Sequence, residues 1–121
     1  MLSIGTVVVG VSDVPRAMTF WMEALGYVPR YTADDGTYAI LMPAEAGAGT
    51  HLALDSSESP VQAHPRLHLD LYADDRSAEV ERLVALGAEI VNWDLYPADP
   101  DFVVLADTEG NRFCVCDTPS A

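Results

Sequence analysis

Two short stretches concentrate the side chains that could do chemistry. RLHLDLY, residues 66–72, sets Arg66, His68, Asp70 and Tyr72 at alternate positions, and NRFCVC, residues 111–116, does the same with Arg112, Cys114 and Cys116. Alternate residues of a strand share one face. Each row is therefore a polar face backed by an apolar one: Leu67, Leu69 and Leu71 in the first stretch, Phe113 and Val115 in the second. A polar row is costly to bury dry, so it should line a solvated groove or a hydrogen-bonded network. His68 is either a ligand-contacting group or a hydrogen-bond partner of Asp70 or Arg66. Cys114 reads as a small buried hydrophobe or as a nucleophile, and nothing in the sequence lowers its thiol pKa. A zinc site of His68, Cys114 and Cys116 meets a geometric objection. Side chains two apart on a strand lie about 7 Å from one another, whereas two sulfurs on one zinc approach to under about 4 Å.

These rows need strands to carry them, and the chain supplies the strands twice. Val7, Val9 and Val11 alternate with Thr6, Val8 and Gly10. A helix follows, capped by Ser12 or Asp13, with Pro15 in its first turn, apolar residues Val14, Ala17, Met18, Trp21, Met22 and Leu25, and Gly26 as its stop. Strands are expected at residues 27–32, 37–42 and 50–54. The order then repeats. LHLDLY is a strand, Asp75 caps a helix carrying Val80, Leu83, Val84 and Leu86, Gly87 ends it, and strands follow near residues 89–92, 102–106 and 112–116. A shift of 61 superimposes Leu86-Gly87 on Leu25-Gly26 and carries Asp13 onto Asp74. The expected fold is α+β: one domain of two βαβββ modules, about 1–54 and 66–121 with a linker at 55–65, forming a curved mixed sheet around a shared cleft with the helices outside. Thr6, Val8 and Gly10 then face that cleft.

Composition excludes several classes. A chain of 121 residues fits one domain. A net charge of −13 with only six Lys and Arg argues against nucleic acid. The absence of a long apolar run argues against a membrane span, and MLSIGTVVVGVSD lacks the basic start of a signal peptide, so a soluble cytoplasmic protein is expected. Two cysteines in one strand do not form a secreted disulfide framework. His51 and His64 look peripheral. Trp93, Tyr96 and Phe102 either cap the core of the second half or wall an aromatic pocket.

Three segments carry a resemblance: VSDVPRAMTFWMEALGY, HLDLYADDRSAEVERLVALGA and VLADTEGNRFCV, the last similar to a DPxGNxF turn with Thr108 in place of proline. Together they resemble the vicinal oxygen chelate superfamily of glyoxalase I, bleomycin-resistance proteins and extradiol dioxygenases, in its glyoxalase-like branch. The resemblance implies a homodimer. In metal-dependent members it also implies an ion held by two histidines and two glutamates. Carried over, those positions fall on Thr6, on His68, within THLAL and on Cys114, so one ligand of four is retained. A hard ion would not be held by such a set.

The expected function is binding of a small organic molecule in the cleft, without metal or other cofactor. The expected lining is Thr6, Arg66, His68, Asp70, Tyr72, Arg112 and Cys114. Two alternatives stay open: a metal-independent lyase or isomerase acting on a small metabolite, and a protein-interaction domain with a vestigial pocket. The acidic charge favours cationic or amphipathic aromatic ligands. Unpaired convergence of Arg66 and Arg112 would reverse that preference.

Overall fold

The computed structural model describes residues 1–120. The chain forms two compact units, Met1–Pro60 and Val61–Ala121, each with the element order βαβββ. The first contains β1 (Thr6–Val11), α1 (Val14–Leu25), β2 (Tyr27–Thr32), β3 (Tyr38–Pro43) and β4 (His51–Ser56). The second contains β5 (Asp70–Ala73), α2 (Arg76–Leu86), β6 (Glu89–Ile90), β7 (Phe102–Ala106) and β8 (Arg112–Asp117). The sheets have equivalent orders, β1-β4-β3-β2 and β5-β8-β7-β6. In each, the strand before the helix pairs in parallel with the last strand, and the remaining pairs are antiparallel. This is the expected α+β pair of modules.

Capping explains where the helices begin and end. Asp13 accepts a hydrogen bond from the Arg16 N–H, and Asp75 accepts one from the Ala78 N–H. Each satisfies a donor that the first helical turn leaves without an intrahelical partner. Gly26 and Gly87 close the helices at φ 67° and 118°, backbone angles that a side chain would strain. The shift of 61 aligns these glycines but lands on Asp74, one residue short of the true cap Asp75. The reason is that α2 has 11 residues and α1 has 12.

In the first unit Val14, Ala17, Phe20 and Trp21 are the buried residues of α1, and Phe20 meets Trp21 edge-to-face at 5.0 Å. Phe20 extends the expected helical stripe by one large side chain. Leu41, Leu52 and Leu54 are fully or almost fully buried on the adjoining strands. In the second unit Leu83 is the one buried residue of α2, while Val84 is exposed. Leu105, Phe113 and Val115 complete that core.

Two expectations about the second unit's edges change. The strand expected from Leu67 starts only at Asp70, and Leu67 is 78% exposed rather than packed under the helix. Asp70 pairs with Cys114, so in the same register Leu67 would lie opposite Asn111, inside the turn that precedes β8 and beyond the paired strand. The strand expected at 89–92 shrinks to Glu89–Ile90. Its continuation, residues 91–101, becomes a loop over the sheet end. Among the described residues no helix is long and apolar enough to cross a membrane.

Candidate functional site

Register builds the site from three strands. Asp70 pairs with Cys114 and Tyr72 with Cys116 across β5 and β8, while Val104 and Phe102 pair with the same two cysteines from β7. Directly paired residues share a face, so Asp70, Tyr72, Cys114, Cys116, Val104 and Phe102 form one surface of the second sheet. A cavity of about 720 Å³ opens on it. Trp93, Leu95 and Phe102 give it apolar walls with Tyr72, and His68, Asp70, Asp101 and Asp117 give it polar ones. That volume lies within the roughly 300–1,000 Å³ of small-molecule sites.

The 91–101 loop is held in place by specific bonds. The Val91 N–H donates to the Val104 carbonyl at 3.0 Å, and the Val104 N–H donates to Tyr96 Oη at 2.8 Å. Tyr96 packs on Phe102 at 5.3 Å between rings, and Arg76 Nη1 donates to the Pro100 carbonyl at 3.0 Å. His64 Nε2 lies 2.8 Å from Asp94 Oδ1, and its ring sits 4.9 Å from the Trp93 ring. That hydrogen bond from His64 is the main reason the Asp94 carboxyl is held below the usual range. Trp93 is thus positioned by the His64 ring and by the bonds that hold its loop before any ligand arrives, which limits the ordering cost of binding.

Asp70 is the hub of the polar wall. His68 Nε2 lies 3.0 Å from its Oδ1, Cys114 pairs with it across the strands, and its negative charge acts on both thiols. Burial, then the negative charge of Asp70, pushes the Cys114 thiol from an ordinary 9.0 up to about 12. The same two causes push Cys116 up to about 11. At neutral pH both thiols therefore hold their protons. In the native protein, alkylation of either cysteine near neutral pH should be at least about a hundredfold slower than in the urea-unfolded chain, because the thiolate is the reacting form. Equal rates in a timed iodoacetamide assay would refute the assignment. The raised values also fix a sign for stability. The folded state holds these protons more tightly, so stability should fall as pH climbs from about 9 towards about 12.

The residues expected from the sequence divide cleanly. His68, Asp70, Tyr72 and Cys114 come together in the cavity. Arg66 does not line it, and its N–H donates to Gln62 Oε1. Arg112 donates from Nη1 to the Ala63 carbonyl at 2.6 Å and so fastens the segment before β5. Thr6 belongs to β1 of the first unit, paired with His51. Leu95, Asp101 and Asp117 line the cavity without having been expected. Alternation gave no signal for the last two, since it sets residues 101 and 117 on the face opposite Phe102 and Cys116; they meet where the β7–β8 pair ends, with the Asp117 N–H donating to the Asp101 carbonyl.

His68, Asp70 and Cys114 bring an imidazole nitrogen, a carboxylate oxygen and a sulfur within 4.8 Å of one another. Asp70 is the member that a His–Cys–Cys reading left out. The trio does not fit the hard-ion set of two histidines and two glutamates. It offers one carboxylate, already engaged by His68, where a hard ion would take several oxygens.

Comparison with solved structures shows the fold widely shared. An antibiotic binding protein from Streptomyces sp. CB03234 is 24% identical, with a TM-score of 0.67 over 98% of each chain. A genomically encoded fosfomycin resistance protein from Listeria monocytogenes is 15% identical, with a TM-score of 0.76 over 98% of this chain and 93% of that one. A glyoxalase-related enzyme from Fulvimarina pelagi is 17% identical, with a TM-score of 0.71 over 98% and 90%. No curated protein matches the chain. The profile of the glyoxalase-like domain matches residues 6–116, nearly the whole chain, and with the repeated βαβββ architecture it makes this protein a member of the glyoxalase-like domain family.

Proposed function

We propose that this protein binds a small organic molecule in the cavity of its second unit, and that it does so without a resident metal and without covalent chemistry. The observation that carries the reading is the character of the cavity itself. Three aromatic walls, Tyr72, Trp93 and Phe102, surround a floor whose thiols are held protonated. Apolar and aromatic lining with a few fixed polar groups suits recognition. The role of the Streptomyces neighbour, antibiotic binding, is the one carried over here.

One arrangement favours a second reading. The His68–Asp70 pair, at 3.0 Å in the cavity wall, has the form of a base oriented by a carboxylate, which would suit metal-independent proton transfer on a small metabolite. Thermal unfolding with a panel of aromatic small molecules separates the two. A bound ligand at about a hundredfold over its Kd stabilises the folded state by about 2.7 kcal/mol. A saturable rise in Tm that survives His68→Ala, with the compound recovered unchanged, supports binding. Turnover of the compound, lost in His68→Ala, would overturn the binding reading in favour of catalysis.

A further inference from the structure

We propose that the cavity selects aromatic cations and that Asp101 is the carboxylate that reads the positive charge; this rests on the cavity being the ligand site. Three aspartates line it, and two are engaged. Asp70 faces His68 Nε2 at 3.0 Å. Asp117 Oδ1 lies 3.5 Å from Arg76 Nε. Asp101 is different. Its carbonyl accepts the Asp117 N–H at 2.9 Å, which anchors it at the end of the β7–β8 pair. Its carboxylate has no ion pair or hydrogen bond among the described residues.

No lysine or arginine in the lining offers a fixed positive charge to an anion. The chain contains no lysine, and none of its six arginines lines the cavity. Arg76 is directed to Pro100 and Asp117, and Arg112 to Ala63. The reversal that converging arginines would bring about is therefore absent. A cation entering between Tyr72, Trp93 and Phe102 meets the negative faces of aromatic rings, and a recessed surface strengthens its attraction to a nearby carboxylate. An aromatic ligand with an ammonium or amidinium group uses both features at once. A neutral ring uses only the walls.

The test uses three probes with one aromatic body: naphthylmethylammonium, naphthylmethanol and naphthoate. Calorimetric titration of the full chain should give the ammonium about tenfold tighter binding than the alcohol, with the carboxylate weakest, and added salt should narrow the gap. Asp101→Asn should bring the ammonium to within about threefold of the alcohol and leave the alcohol unchanged. Asp55→Asn, an equal change of net charge on β4 of the first unit, should leave the wild-type ratio intact. Equal binding of ammonium and alcohol by the wild-type protein would overturn the inference while leaving the cavity reading in place. So would an unchanged ratio in Asp101→Asn, or an equal loss in Asp55→Asn. Failure of all three probes to bind would overturn the cavity reading, and this inference with it.

Discussion

Phe20→Ala is expected to remove about 3–5 kcal/mol of folding stability, the largest effect of any single change considered for this chain. Phe20 is 2% exposed, and its ring meets Trp21 edge-to-face. Truncation deletes the ring's apolar burial and leaves a hole that a close-packed helix–sheet layer cannot collapse to fill. Set against the roughly 5–15 kcal/mol that holds a typical domain together, such a loss is severe. Leu67→Ala is the control. That side chain is 78% exposed, so its truncation should stay within about 0.5 kcal/mol. Urea unfolding followed by far-ultraviolet circular dichroism measures both. A Phe20→Ala loss below about 1 kcal/mol, or a Leu67→Ala loss above it, would contradict the packing described.

Trp93→Ala is expected to weaken binding of naphthylmethylammonium by about thirtyfold, the loss typical of a buried aromatic anchor. Trp93 lines the cavity, while His64 at 4.9 Å and the His64–Asp94 bond hold it in position. Removing the indole takes away one wall and the largest π surface available to a cation. Trp93→Phe keeps an aromatic face and should recover most of the affinity. Calorimetry on the two variants, with circular dichroism to confirm that both are folded, decides the point. Full affinity in Trp93→Ala would show that the ligand seats elsewhere.

The repeat of βαβββ was legible because its punctuation is local. Aspartate caps, Leu-Gly stops and alternating strands each depend on residues within a few positions of one another, and β2 and β7 begin and end where their patterns do. Non-local pairing was harder to read. Whether Leu67 belongs to a strand depends on where β8 starts, forty-odd residues later, and that cannot be inferred from RLHLDLY alone. Phe20 escaped notice because a helix on a sheet buries a wider arc than one narrow stripe.

The site divides along the same line. His68, Asp70, Tyr72 and Cys114 follow from alternation within single strands. Asp101 and Asp117 require the β7–β8 register. The removal of Arg66 and Arg112 from the lining required knowing that Arg112 reaches back to Ala63. Alternation placed Arg112 on the same face of its strand as Cys114, but a long side chain at a strand end can turn away from the centre of that face. The cysteines carry a related lesson. Their spacing argued against a shared zinc but left Cys114 open as a buried hydrophobe or a nucleophile, whereas burial and the charge of Asp70 raise both thiol pKa values.

Amide-resolved NMR titration of the full chain with naphthylmethylammonium tests the central claim most directly. The account predicts saturable shifts confined to residues around the cavity: His68 to Tyr72, Trp93 and Leu95, Asp101 and Phe102, and Cys114 to Ser120. It also predicts that the Trp93 indole signal moves and the buried Trp21 indole signal does not. Saturable shifts centred on the β1–β4 sheet of the first unit, or no shifts at all, would contradict it.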